Sequence, residues 1–411
     1  MTEDDDSAGV EHLLSTTVRE TMTDEGYGAW RSLLHPGTVQ LAFGFPYPDS
    51  FPLEELHDAV EALFEAEPET ALQYAGQGYA DDLPAVIADR ARDRGIDCTA
   101  DEVHVTNGAT HAIDTVCQTF LDRDDLVIAE SPTFMGALRL FQNYGVDVAG
   151  VEMDEDGLDV DALAETLKSR AAANEPLPKL LYTIPNFQNP TGVTLSRDRR
   201  ERLVELAVEY DFVILEDDPY GRLRYDGSEP PPIRTFDADG RVIRVDTFSK
   251  TIAPGVRTGW IIADEPLIEQ FARVDAGGEN RFTRGVIGRY CENGRLDEAV
   301  EELRAGYEPR RDRMLAALAE HMPAGTTWSE PAGGFFLWLT FPEGVDAEAM
   351  LEDAVEEGVT YLPGSFFYPD DRGGRHARLS FSEAGPDAIE RGVEALARAT
   401  RAEMDPIEAS D

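Results

Sequence analysis

Apolar residues in this chain gather in short runs closed by turn-forming residues, and the runs alternate with stretches where apolar positions recur every three or four residues. The runs at 102–106, 126–129, 179–184, 212–215 and 242–245 predict strands. Helical periodicity opens at 54–66, after Phe45-Pro46-Tyr47-Pro48, and returns at 110–120 and 196–210, where Ser196 suits the N-cap. Strands separated by helices predict an α/β fold with a mainly parallel sheet covered by helices on both faces.

The pattern changes after residue 300. A long charged amphipathic stretch covers 296–321, Gly333-Gly334-Phe335-Phe336-Leu337-Trp338-Leu339 and 377–381 read as strands, and 347–357 and 386–401 read as helices. Residues 50–300 are therefore expected to form a large domain. Residues 1–49 with 301–411 are expected to form a smaller α+β domain. The chain has no internal repeat.

Charge excludes several partners. Lysine and arginine number 36 against 81 acids, a net charge of −45 spread through every segment. A phosphate backbone or an anionic membrane surface rewards a basic face, so neither nucleic acid nor membrane is expected. A self-repelling acidic surface suits concentrated salt, which screens the repulsion, and the expectation is a halophilic cytoplasm. Cys98, Cys117 and Cys291 have no CxxC spacing, which points to reduced thiols rather than disulfides or metal. The acidic start Met1-Thr2-Glu3-Asp4-Asp5-Asp6 does not resemble a signal peptide, and no apolar run nears the ~18–20 residues that span a bilayer.

Lysine is rare: Lys168, Lys179 and Lys250 are the three in the chain. Lys250 sits in a hydroxyl-rich loop that runs through a Pro-Gly turn to an arginine, Thr247-Phe248-Ser249-Lys250-Thr251-Ile252-Ala253-Pro254-Gly255-Val256-Arg257, whereas Lys168 lies in the polar helical stretch Glu165-Thr166-Leu167-Lys168-Ser169-Arg170 and Lys179 begins an apolar run. The set at Lys250 suits a phosphate held beside an amine able to form an imine with an aldehyde. A surface loop with an ordinary lysine is the plain alternative, and lysine's scarcity weighs against it. Val213-Ile214-Leu215-Glu216-Asp217-Asp218-Pro219-Tyr220 runs from a strand into acids at a sheet's carboxyl edge, where open α/β sheets bind ligands. Taken alone it also reads as a solvated acidic turn. Asn186-Phe187-Gln188-Asn189-Pro190-Thr191-Gly192 marks tight turns. Thr106-Asn107-Gly108-Ala109-Thr110 passes from strand to helix, leaving helix N–H groups for an anion. HExxH, GxSxG and P-loop motifs are absent, and Gly76-Gln77-Gly78-Tyr79 lacks a dinucleotide-binding context.

Together these segments resemble the fold-type-I, class I/II pyridoxal-phosphate aminotransferases over 41–382, in look nearest the kynurenine and 2-aminoadipate aminotransferase branch. The Ser-Lys-x-x-x-Pro-Gly-x-Arg run at Lys250 is the most specific motif. The resemblance implies an imine of pyridoxal 5′-phosphate on Lys250, which also shuttles the substrate's α-proton. It implies that Asp217, with Asp218 as the alternative, pairs with the ring nitrogen. Tyr220 and Asn189 would bond the ring oxygen, and Phe134 would stack on the ring. Gly108, Ala109, Thr110, Thr247, Ser249 and Arg257 would cradle the phosphate, although many relatives carry serine and glutamine where this chain has Ala109 and Thr110. Arg378, with Gly44 and Asn189 nearby, would take the α-carboxylate. Tyr74 would reach the phosphate of a neighbouring subunit, which makes a homodimer with a shared active site. The implied reaction moves the amino group of an L-amino acid to a 2-oxo acid, with 2-oxoglutarate the family default. A β-lyase would use the same residues. A ligand-sensing regulator would carry a DNA-binding domain ahead of this fold. Phe45, Tyr47, Phe335, Phe366 and Phe367 read either as lining of a side-chain pocket or as core.

Overall fold

The computed structural model describes residues 13–21, 35–66, 68–74, 83–275, 277–370 and 372–408. The acidic start and Gly76 to Tyr79 lie outside the described residues. Among those described, no helix is long and apolar enough to cross a membrane.

An eight-stranded sheet forms the middle of the molecule. Its order is Val103–Thr106, Gly259–Ile262, Val242–Thr247, Val213–Asp217, Leu180–Thr183, Leu126–Ser131, Asp147–Asp154 and Gly157–Leu158. The five strands from Val242–Thr247 to Asp147–Asp154 are parallel, and Gly259–Ile262 is antiparallel to both its neighbours. Two antiparallel steps restore direction, so Val103–Thr106 ends at the same edge as the parallel set.

Each central strand is apolar on both faces because both are covered. Val127, Leu180, Tyr182, Val213, Leu215, Ile243 and Val245 point into one core with Ile113, Phe141 and Phe271 of the helices Ala109–Phe120, Met135–Tyr144 and Glu265–Val274. Ile128, Leu181, Ile214 and Val242 point into the other, against Leu163 and Leu203 of Val160–Ala173 and Arg197–Tyr210. Local chemistry sets helix starts. The Asp159 side chain accepts the Ala162 N–H at 2.9 Å, whereas Ser196 occupies an N-cap position without a side-chain bond.

The remaining elements form a four-stranded antiparallel sheet, Thr327–Trp328, Phe336–Thr340, His376–Ser380 and Leu362–Pro363. Val39–Gln40 pairs with Val359–Thr360, joining the start of the described chain to its last third. The helix Arg295–His321 crosses between cores: Leu296 and Val300 pack with the helices beside Val103–Thr106, Leu303 and Tyr307 beside Phe335, and Met314, Ala317 and Leu318 in the core of the smaller sheet.

Three local readings shift. The strand expected from Gly333 begins at Phe336, because Gly333 pairs with Arg224 instead, Gly334 donates its N–H to the Leu223 carbonyl at 2.9 Å, and Gly334 has φ +70°. The helix expected at 347–357 begins at Leu351, and the last helix runs on to Glu408. The strands Asp147–Asp154, Gly157–Leu158 and Gly259–Ile262 add to the five of this sheet read from the sequence.

Candidate active site

The strand ends at the carboxyl edge bring together four of the segments singled out above. Asp217 closes Val213–Asp217, the turn through Asn189 follows Leu180–Thr183, Phe134 follows Leu126–Ser131, and Lys250 ends a short 3-10 turn after Val242–Thr247. Gly108 is the N-cap of Ala109–Phe120.

At the strand ends two adjacent carboxylates are treated differently. Both are almost fully buried, at 3% exposure for Asp217 and 1% for Asp218. Asp218 accepts hydrogen bonds from Arg244 (2.5 Å), Arg94 (2.8 Å) and the Asn186 amide (2.9 Å). Burial alone would raise its pKa, but the charges of Arg244 and Arg94 outweigh burial and hold the carboxyl well below its usual range. Asp217 accepts one bond on Oδ2, from the Tyr182 hydroxyl at 2.7 Å, and its Oδ1 has no partner. Burial pushes Asp217 up to about 7 against that bond, with the negative charge of Asp218 adding to the rise. A buried carboxylate oxygen left open is what a protonated ring nitrogen requires.

Lys250 differs from its two rivals. Lys168 and Lys179 have side chains 68% and 46% exposed and pair with surface acids. Lys250 is partly accessible, donates from Nζ to the Gly44 carbonyl at 3.0 Å, and lies 5.5 Å from the Phe335 ring centre. Burial, then the positive charges of Arg378 and Arg257, lower its pKa to about 8. A substantial neutral fraction near physiological pH suits a nucleophilic amine.

The anion corner is built by close backbone approach. Gly108 has φ +90°, and a Cβ there would sit 2.5 Å from Nη2 of Arg257. Arg257, itself left-handed at φ 45°, donates to the Asn107 carbonyl at 3.2 Å. Thr110 is exposed in the first helical turn. The Thr247 hydroxyl faces inward, donating to the Thr258 carbonyl (2.9 Å), accepting from the Ser249 N–H (3.1 Å) and meeting the Ser249 hydroxyl (2.9 Å). Thr247 therefore braces the turn that carries Ser249 and Lys250.

Arg378 is 5% exposed. It donates from Nη1 to Asn189 Oδ1 (2.9 Å) and from Nη2 to the Ala42 carbonyl (2.6 Å), while its Nε has no partner. The guanidinium lies over the Phe336 ring at 4.1 Å, and Tyr220 packs on Phe335 and Phe336. Burial lowers the Arg378 pKa to about 9, with the Tyr220 hydroxyl opposing that fall. Phe335 and Phe367 are fully buried and belong to the core, whereas Phe45 is 44% exposed and stacks on Phe43 at 5.2 Å. Tyr47 meets Tyr307 edge-on, and Phe366 is partly buried. Tyr74 is 92% exposed.

Tyr182, Arg94, Arg244 and Glu130 carried no recognised sequence signal, and Asn186 and Gln188 were read only as part of a turn. Arg244 interrupts the apolar run Val242-Ile243-Arg244-Val245, and a charge inside a buried strand implies a buried partner. A separate cleft of about 1360 Å³, lined by Thr191, Trp328, Trp338 and Arg372 among others, contains none of Lys250, Asp217 or Arg378.

The unpartnered Asp217 oxygen, the open helix start at Gly108 and the free Nε of Arg378 fit pyridoxal phosphate with an α-carboxylate beside it. Comparison with known proteins agrees. The model of the aminotransferase class I and II family matches residues 39–396. Aromatic-amino-acid aminotransferase 1 of Thermococcus litoralis is 38% identical over 370 residues, covering 89% of this chain and 88% of that protein. The crystal structure of Pyrococcus horikoshii kynurenine aminotransferase, in complex with PMP and kynurenine, superposes with a TM-score of 0.92 at 36% identity, covering 97% of this chain and 99% of that one. LysN, the α-aminoadipate aminotransferase of Thermus thermophilus, solved with N-(5′-phosphopyridoxyl)-L-leucine, superposes with a TM-score of 0.87 at 29% identity, covering 97% of this chain and 100% of the other.

Proposed function

The chain belongs to the class I and II aminotransferases, which depend on pyridoxal phosphate, and within that family we propose that Lys250 holds the cofactor, with 2-oxoglutarate as acceptor. The observation that carries the cofactor assignment is the pair of buried acids: Asp218 has both oxygens engaged, Oδ2 by Arg94 and Arg244 and Oδ1 by the Asn186 amide, and Asp217 keeps one oxygen open.

When bound, pyridoxal phosphate supplies an aldehyde that takes up the amino group and a protonated ring that draws electrons from the α-carbon. Asp217 would hold the ring nitrogen through its open Oδ1. Gly108, Ala109, Thr110, Ser249 and Arg257 would hold the phosphate, with Thr247 as a brace. Phe134 would pack on the ring, and Asn189 and Tyr220 would bond its oxygen. Arg378 would bind the α-carboxylate through Nε and an Nη, orienting the substrate's α-carbon toward Lys250. Lys250, as a neutral amine, would take the α-proton on Nζ and give it back. Phe335 and Phe336 exclude water beneath the lysine.

The proposed assembly is a cytoplasmic homodimer in which Tyr74 reaches the partner's phosphate. Its support is the exposure of Tyr74 at 92% beside Leu72 at 70%, a cost that a partner surface would remove. Each chain is read as two domains, 50–300 and 1–49 with 301–411, supported by the pairing of Val39–Gln40 with Val359–Thr360.

The test is Lys250→Ala, expected to lose transamination and the visible absorption band of the lysine-bound cofactor. Full turnover by that variant would refute the assignment. Single amino acids mixed with the enzyme separate transfer from elimination: stable pyridoxamine phosphate marks transfer, and pyruvate with ammonia marks a β-lyase. The same half-reaction, run over amino acids and then over 2-oxo acids, identifies donor and acceptor.

A further inference from the structure

A further buried carboxylate lies at the same sheet edge and takes no part in the mechanism above. Glu130, 1% exposed, stands near the end of Leu126–Ser131. Its Oε1 accepts the Thr183 hydroxyl at 2.5 Å, and its Oε2 accepts the Ile184 N–H at 3.2 Å and Gln188 Nε2 at 2.9 Å.

Gln188, also 1% exposed, uses every hydrogen-bonding position of its amide. Nε2 donates to Glu130 and to the Pro132 carbonyl at 2.8 Å. Oε1 accepts the Thr191 N–H (2.9 Å) and the Thr191 hydroxyl (2.8 Å). The turn is closed again by main-chain bonds from Gly192 to Gln188 (2.6 Å) and from Gln188 to Val193 (2.9 Å). Asn189 sits inside this turn, and its Oδ1 receives Arg378.

Glu130, together with the Pro132 carbonyl and the Thr191 N–H, sets the orientation of the Gln188 amide. Turned by half a rotation, the amide would set its oxygen against the Glu130 carboxyl and the Pro132 carbonyl, and its NH₂ against the Thr191 N–H. Both contacts would leave buried polar groups opposed. We propose that Glu130 is a positioning residue for substrate binding: by orienting the Gln188 amide it fixes the Gln188–Thr191 turn, which holds Asn189 against Arg378. This inference rests on Arg378 receiving the α-carboxylate, as read above. The knot also ties the Pro132 carbonyl, two residues before Phe134, to the turn that carries Asn189, so it joins two sides of the cofactor site.

An acceptor, rather than a charge, is what Gln188 needs. Burial pushes Glu130 up to about 7, against the hydrogen bonds from Thr183, Gln188 and Ile184. In either protonation state Oε2 accepts from Gln188, the proton residing on the oxygen that faces Thr183. Glu130→Gln keeps that arrangement, with its NH₂ donating to the Thr183 hydroxyl oxygen. Glu130→Met removes it.

The experiment is a double-mutant cycle on the cofactor-loaded enzyme, reading the dissociation constant of 2-oxoglutarate by calorimetry with no amino donor present, so that nothing turns over. Glu130→Met and Gln188→Met are each expected to weaken binding about tenfold, and the double variant also about tenfold rather than a hundredfold, because both act on one element. Glu130→Gln is expected to bind within about twofold of the parent. A multiplicative double variant overturns the proposal, as does a Gln188→Met protein that binds like the parent, whether or not Glu130→Met folds. Failure of the underlying reading is seen separately: Arg378→Gln would then leave 2-oxoglutarate binding unchanged.

Discussion

Tyr182 donates a 2.7 Å hydrogen bond to Oδ2 of Asp217 and leaves Oδ1 of the same carboxylate open. Sheet register produces the contact. Tyr182 pairs with Leu215, so Asp217 lies two residues further along the neighbouring strand on the same face, within reach of a long side chain. The hydrogen bond favours the anion of Asp217, which burial opposes.

Tyr182→Phe is therefore expected to raise the Asp217 pKa above about 7 and to leave more of it neutral at pH 7. A neutral acid holds a protonated ring nitrogen poorly. Equilibrium dialysis should show cofactor release increased about tenfold at pH 7, and less at pH 9 where the acid ionises regardless. Equal cofactor affinity at both pH values would sink the idea.

Lys250, with its pKa lowered to about 8, should capture added cofactor at a rate that climbs with pH and levels off above that value. The amine reacts only when neutral, so the rate follows its deprotonated fraction. Burial is the main cause of the lowering and Arg378 the next. Removing that positive charge in Arg378→Gln should move the inflection upward, toward the ordinary lysine value. Stopped-flow absorbance across pH 6 to 10 measures both curves, and an inflection unmoved by the substitution contradicts the electrostatic account.

Asp217→Asn and Asp218→Asn should fail in opposite ways. Asp218 lies between two buried arginines, and its removal takes from Arg94 and Arg244 an acceptor that they share, costing about 1–3 kcal/mol in denaturant unfolding although Glu229 and Glu216 still pair with them. Its depressed pKa means that this stability is present above the unfolded value of about 3.9 and is lost as pH falls toward the folded one. Asp217 has a raised pKa, so its charge is a burden to the cofactor-free fold, and the amide should change stability by less than about 1 kcal/mol while abolishing transamination. A stable, inactive Asp218→Asn beside an active Asp217→Asn would reverse the assignment.

A net charge of −45 should make the protein need salt. The screening length falls from about 10 Å at 0.1 M to about 3 Å at 1 M, which removes most repulsion between surface acids. The melting temperature is expected to rise between 0.1 M and 2 M potassium chloride. A protein at least as stable in the dilute buffer would argue against the halophilic reading.

The alternation of apolar runs and helical stretches determined the covered, mainly parallel sheet, because a strand buried on both faces must be apolar throughout. Lys250 was legible for a different reason: of three lysines it stands in a hydroxyl-rich turn that runs through Pro-Gly to an arginine, whereas Lys168 lies in a polar helical stretch and Lys179 opens an apolar run, and that chemistry is local to one loop. Asp217 and Asp218 mark where the sequence stops. They are chemically identical neighbours, and Arg94, Arg244, Asn186 and Tyr182, which tell them apart, come from positions up to 124 residues away. Glu130 was equally silent, and Gln188 was legible only as part of a turn, since a buried hydrogen bond between distant residues leaves no periodicity. Residue type and local spacing can name the groups a cofactor requires. Only the register of adjacent strands decides which carboxylate is neutralised and which is left open to bind.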